Sequence, residues 1–137
     1  MATSTHTELK QLRMAVPVFA VRDIIKSAEH FRDVLGFSFD RYWGEPPCFV
    51  ILARDSVEID LVAIQGGNNP APNRTLIGDD AWDAYFWVRD SAELAKEFES
   101  RGAKILRGPE KTFYDTLEIE LEDLDGYRLC FGQDISE

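Results

Sequence analysis

The sequence predicts an α+β domain made of two βαβββ repeats, and an internal repeat together with its flanking strands carries that prediction. Residues 21–36 read VRDIIKSAEHFRDVLG and residues 88–102 read VRDSAELAKEFESRG. Each opens on Val-Arg-Asp, reaches a Phe eight residues after the Asp and closes on Gly, which relates Asp23 to Asp90 by an offset of 67. Each is preceded by an apolar run of strand character, MAVPVFA and DAYFWV, and followed by further strand-like runs. A repeat this long implies two copies of one supersecondary unit that complete each other, with the site where the halves meet.

The elements follow in order. Residues 1–13 form a polar N-terminal arm in which TELKQLR has the composition of a helical turn or two. The first module spans 14–64. Its first strand is Met14 to Val21, and Asp23 then stands where an N-cap belongs. The helix from Ile24 to Leu35 places Ile24, Ala28, Phe31 and Leu35 on one stripe, and Gly36 ends it as a left-handed cap. Strands are expected at Ser38 to Trp43, Cys48 to Ala53 and Val57 to Ile64, with GEPP and ARDS as turns. The Gly-, Asn- and Pro-rich stretch QGGNNPAPNRT opens the linker, residues 65–80.

The second module spans 81–133. It repeats the order with a strand at Asp83 to Val88 and a helix that starts on the Asp90/Glu93 capping-box spacing and stops before Gly102. There follow a short strand at Lys104 to Leu106, a loop through Phe113 and Tyr114, a strand at Leu117 to Glu122, a turn at LDGY and a last strand from Arg128 to Phe131. Both modules are expected to share one compact domain.

Composition narrows the function classes. The chain has 137 residues, 45% of them apolar and nine of them Phe, enough for one domain with a substantial core. No apolar run is long enough to span a membrane, and the polar start has no secretory character, so the expected location is the cytoplasm. The two cysteines, Cys48 and Cys130, are too few for a disulfide scaffold and read as reduced, mostly buried thiols. A net charge of −10 repels phosphate and argues against nucleic acid, while it favours a cationic ligand.

The strings AVPVFAVRD, AYFWVRD and YDTLEIELEDLDGYRLCF, in this strand order, resemble the vicinal oxygen chelate superfamily of glyoxalases, extradiol dioxygenases, fosfomycin-resistance enzymes and bleomycin-resistance proteins. The resemblance covers residues 14 to 133. Its second half is similar to the family stretch Tyr-Gly-x-Arg-Glu-x-x-x-x-Asp-Pro-Asp-Gly-Asn at Tyr114, Glu118, Asp123, Asp125 and Gly126, and departs from it at Asp115, Leu117, Leu124 and Tyr127. The phrase AVPVFAVRD with a helix ending in LGF resembles the bleomycin-resistance branch most. The resemblance implies two βαβββ modules whose sheets form a curved, partly open, barrel-like cleft. It also implies a homodimer with clefts between chains and an exchanged first strand, for which Pro17 resembles the hinge.

Strand alternation assigns side chains to faces. Phe19, Val21, Ile59, Leu61, Phe86, Ile119, Leu121, Leu129 and Phe131 belong to the core face. The opposite face receives Glu58, Asp60, Asp83, Glu118 and Glu120 with Tyr85 and Trp87, and also Arg128 and Cys130. Such carboxylates are equally at home on a solvated sheet face, but two large aromatics beside them point to a binding surface.

The superfamily's metal enzymes imply ligands at Val16, Asp60, Asp83 and Cys130, found by counting back from each Val-x-Asp motif and onto the last strand of each half. That set contains no imidazole, Val16 cannot ligate, and a thiolate beside carboxylates suits a divalent ion poorly. His6 in the arm and His30 off the helical stripe are both read as solvated. No cofactor and no metal are therefore expected, and no residue stands out as catalytic. Glu118, with its pKa raised by acidic neighbours, is the weak candidate for a general base. The leading reading is a metal-independent protein that sequesters a cationic, partly aromatic small molecule of the bleomycin kind. It would do so through Trp43, Glu58, Asp60, Asp83, Tyr85, Trp87, Phe113, Tyr114, Glu118 and Cys130. The rival reading is a metal-dependent lyase, isomerase or dioxygenase of the glyoxalase type with carboxylate ligands.

Overall fold

A computed structural model describes residues 10–137; the helical turns expected in the arm are absent from residues 10–13, where the backbone is irregular, while the rest of that segment and His6 lie outside the described residues. Two four-stranded sheets carry the fold, each built by one repeat. In the first module these are β1 (Val18–Val21), α1 (Ile24–Asp33), β2 (Tyr42–Trp43), β3 (Phe49–Arg54) and β4 (Val57–Ala63). A short helix, α2 (Arg74–Ile77), lies in the linker. The second module holds β5 (Ala84–Trp87), α3 (Ser91–Ser100), β6 (Lys104–Lys111), β7 (Thr116–Glu122) and β8 (Arg128–Asp134). The sheet orders are β1-β4-β3-β2 and β5-β8-β7-β6, with the first strand of each module parallel to its last. The sheets stay separate and do not close into a barrel. Among the described residues no helix is long and apolar enough to cross a membrane.

The repeat is visible in the caps. Asp23 accepts the Lys26 N–H and Asp90 accepts the Glu93 N–H, each from an extended backbone, so both helices start where the sequence places them. The reciprocal half of the capping box is missing, because the Glu93 carboxylate turns to Arg89 at 3.0 Å. Gly36 closes the first helical segment with φ at 76°, the left-handed conformation expected of it.

Core parity also holds. Phe31, Leu35, Leu52, Ile59 and Leu61 in one module, and Phe98, Ile119, Leu121 and Leu129 in the other, are sealed from solvent in one continuous cluster. His30 differs from its expectation. It is half-buried with Nδ1 lacking a partner among the described residues, and burial holds its pKa below the usual imidazole value.

Four strand boundaries depart from the sequence reading. β1 begins only at Val18, because Pro17 has no N–H for the ladder and contributes only its carbonyl, to Asp60 N–H. The expected strand at Ser38 to Trp43 shrinks to a bridge between Ser38 and Ala53 and the pair Tyr42–Trp43, at the sheet edge where only one neighbour is available. β6 continues past Leu106 through Gly108 and Pro109, which an edge strand tolerates, with register irregularities around Arg107. β8 runs on to Asp134, following its partner β7 back to Thr116.

The modules meet through their core faces. Tyr127, from the turn before β8, stacks on Phe19 at 4.8 Å and donates to the Ala20 carbonyl at 2.6 Å, while Asp125 accepts the Arg22 N–H at 3.0 Å. On the other side of the seam Arg54 grips Glu97 through two hydrogen bonds of 2.7 and 2.9 Å and also donates to the Leu35 carbonyl. Both seams are made by a turn of one module packed against the first strand or helix of the other.

Candidate functional site

Glu118 on β7 anchors the face of the second sheet opposite its helix. It is completely buried. Its Oε2 accepts hydrogen bonds from Tyr85 Oη and Tyr114 Oη, each at 2.8 Å, and from Thr116 Oγ1 at 3.0 Å, while Arg107 donates to Oε1 at 2.8 Å. Burial alone would raise the Glu118 pKa, but the hydrogen bonds from Arg107, Tyr85, Tyr114 and Thr116 outweigh it and hold the carboxyl below its ordinary value. The expected general base is thus a stably ionised acceptor with its oxygens occupied, because the donors that converge on it outweigh the cost of its burial. The two phenols are pushed the other way, first by burial and then by the carboxylate they bond, Tyr114 to about 12.

Glu120, two residues on, accepts from Trp82 Nε1 at 3.1 Å and from Arg107 Nε at 3.3 Å, with Arg128 at 3.9 Å. Arg107 also reaches Glu110 at 3.1 Å, so one guanidinium serves three carboxylates. The bulged stretch of β6 aims it there. Arg107, Trp82 and Thr116 stand outside the set that the sequence suggests. The expected strand ends at Leu106, which leaves Arg107 in the loop that follows. Continued as a strand, β6 sets Arg107 directly opposite Glu120, a cross-strand charge pair that the sequence holds in plain view.

Tyr85 reaches Glu118 by lying across β8 where residue 132 is Gly; a Cβ there would overlap the phenol ring. The rings of Trp82, Tyr85 and Trp87 then follow one another at centroid separations of 4.9 and 5.1 Å. Trp87, 65% exposed, is the outer end of this row.

The candidate residues fall into separate places. Glu58, Asp83, Tyr85 and Trp87 come together in a groove of about 540 Å³ between the modules, whose other wall is Met14 to Pro17. Phe113 and Tyr114 line a second cleft of about 630 Å³ with Trp82, Arg107 and Arg128. Glu118 and Cys130 are buried on β7 and β8 and line neither of these two clefts. Trp43 lies apart on β2 with the Arg41 guanidinium 4.4 Å above its ring, so that one of its faces is occupied.

Asp60 lies beside Glu58 on β4, and one of its oxygens is buried without a donor among the described residues. Burial first, then the hydrogen bond and charge of Glu58, push its carboxyl up to about 6. Asp83, in contrast, spends both oxygens on backbone, accepting from Asn73 N–H and Arg128 N–H at 2.8 Å each. It ties the linker and β8 to the start of β5.

The residues at the superfamily's ligand positions do not fit a metal. Val16 offers no donor atom and the oxygens of Asp83 are bonded to amides. Cys130 is buried, and burial followed by the charge of Glu118 raises its thiol pKa, which disfavours the thiolate a metal needs. Among the described residues no three His, Cys, Asp or Glu side chains gather as a metal-binding group.

The family model described as Glyoxalase/Bleomycin resistance protein/Dioxygenase superfamily matches residues 12–131. Among curated protein sequences none is significantly similar. Similar solved structures include TioX from Micromonospora sp. ML1, with TM-score 0.69 and 15% identity over 89% of this chain and 98% of that one. A glyoxalase/bleomycin resistance protein/dioxygenase from Nocardioides has TM-score 0.66 and 14% identity over 98% and 91% of the two chains. The bleomycin-binding protein of Streptomyces verticillus, complexed with copper(II)-bleomycin, has TM-score 0.61 and 17% identity over 94% of this chain and all of that one. At such identities these likenesses establish the fold.

Proposed function

From a chain that belongs to the glyoxalase/bleomycin resistance protein/dioxygenase superfamily, we propose a small-molecule binding protein that holds a cationic, partly aromatic ligand without a metal. The observation that carries this reading is the groove between the modules. It joins the faces of Tyr85 and Trp87 to an apolar wall at Met14 to Pro17, with Glu58 on its margin and Asp60 next to Glu58. The aromatic faces suit a planar ring, and Glu58 with Asp60 supplies negative charge that no cation pairs among the described residues, in a chain of net charge −10. The carboxylates of β7 have a different role in this reading. Arg107 and Arg128 neutralise them, so they stiffen the sheet beneath the ligand and do not attract it. The bleomycin-binding neighbour supports a ligand of that chemical type.

Metal-free bleomycin is the probe, followed by tryptophan fluorescence with Trp87 as reporter. Saturable quenching that weakens with salt, survives a chelator and is lost in Trp87→Ala is the expected result. Glu58→Gln and Asp60→Asn should each weaken it several-fold, and affinity should fall as pH drops through about 6, where Asp60 takes up its proton. Quenching unchanged in all three variants would move the site elsewhere. The same reading includes a homodimer, for which the exposed Met14, Val18 and Trp87 offer apolar surface; light scattering at the concentration of the titration measures it.

A further inference from the structure

The two halves of the chain are related closely enough to show where one departs from the other. Ladder registers align them: β1 with β4 pairs Phe19 with Leu61 and Ala20 with Val62, while β5 with β8 pairs Phe86 with Phe131 and Trp87 with Gly132. Phe19 therefore corresponds to Phe86, Ala20 to Trp87, Asp125 to Asp55 and Tyr127 to Val57.

One seam between the modules is filled. Tyr127 is 6% exposed, its ring lies against Phe19, its hydroxyl bonds the Ala20 carbonyl, and the Asp125 side chain beside it is 5% exposed on the Arg22 N–H. In the equivalent seam the residue is Val57, and the Asp55 side chain is 90% exposed, with no matching bond to Arg89 N–H among the described residues. A cavity of about 370 Å³ opens there, walled by Val57, Phe86, Val88, Leu94 and Phe98. Its mouth carries the ion pairs Arg54 with Glu97 and Arg89 with Glu93, plus Asp55 and Asp90, so four carboxylates face two guanidiniums.

We infer that this cavity is a binding site for a small neutral phenol, which would occupy the slot that the Tyr127 side chain fills in the other half. The ring would lie along Phe86 and Val57, and the hydroxyl would donate to the Trp87 carbonyl, the counterpart of Ala20. The excess of carboxylates at the mouth excludes anionic aromatics. This cavity shares Ser56, Val57, Phe86 and Trp87 with the groove proposed above, whereas Val88 and Leu94 line the cavity and not the groove, so shifts at the methyls of those two residues distinguish the sites.

The test uses p-cresol as probe and toluene as the analogue lacking the hydroxyl, followed by methyl resonances of the full chain. The expected result is one saturable curve for the Val57, Val88 and Leu94 methyls, with toluene about fivefold weaker for want of one hydrogen bond. Val57→Tyr should abolish binding by supplying the missing side chain, and should raise the urea midpoint. Val57→Leu, a smaller change, should weaken binding if the Tyr variant does not fold. Shifts confined to other methyls, no saturation, or equal binding in the Val57 variants would overturn the inference.

Discussion

Asp123 lies in the turn before β8, 5% exposed, with Oδ1 accepting the N–H groups of Asp125 at 2.9 Å and Tyr127 at 2.8 Å. Its Oδ2 is buried without a partner among the described residues. Burial raises its pKa from 3.8 to about 7, aided by Asp125 and Asp83 and opposed by the two N–H groups. Between those two values the folded chain keeps a proton that the unfolded chain has released. The stability contributed by this group is therefore fully present below pH 3.8 and is lost as the pH rises to about 7. At about 1.4 kcal/mol per pH unit, that loss is on the order of 4 kcal/mol. Asp123→Asn keeps an oxygen for the two N–H groups and cannot ionise. Any cost of the new amide at the Oδ2 position is the same at every pH, so it leaves the slope untouched. Urea unfolding of both proteins at steps from acid to mildly alkaline pH measures the difference. It should move in favour of the variant by about 3–4 kcal/mol across this window and level off above it. A difference that stays flat, or that moves in favour of the wild type, refutes the reasoning.

Three further outcomes follow from the same geometry. Arg107→Gln leaves buried Glu118 without its cation and should cost about 3–5 kcal/mol in urea unfolding at neutral pH; a loss under about 1 kcal/mol, the scale of an exposed pair, would show that the network is not buried in solution. Gly132→Ala sets a Cβ into the Tyr85 ring and should cost about 1–3 kcal/mol, a cost that vanishes in a Tyr85→Ala background. Cys130, buried and with its thiol pKa raised, should react with a thiol reagent only after unfolding, whereas half-buried Cys48 should react in the native protein.

The sequence by itself determined the repeat, and with it the fold. Asp23 and Asp90 cap equivalent helices, Phe31 and Phe98 fill equivalent core positions, and period-two alternation put Ile59, Leu61, Ile119 and Leu121 inside. These are local rules, in which spacing alone fixes which face a side chain takes. Strand ends were less legible, because they depend on whether a neighbour is present to pair with: Pro17 shortens β1, and the edge positions of β2 and β6 shrink one strand and prolong the other. The chemistry of the carboxylates was not legible at all. Parity placed Glu58, Asp60, Asp83, Glu118 and Glu120 on one kind of face, as though they were alike. Only the tertiary structure separates them, because a carboxylate's charge and availability depend on the donors around it. Those donors come from distant segments: Arg107 and Tyr85 for Glu118, Trp82 for Glu120, and the amides of Asn73 and Arg128 for Asp83. Among the described residues Glu58 and Asp60 receive no such cation, which is why the proposed function draws its charge from them.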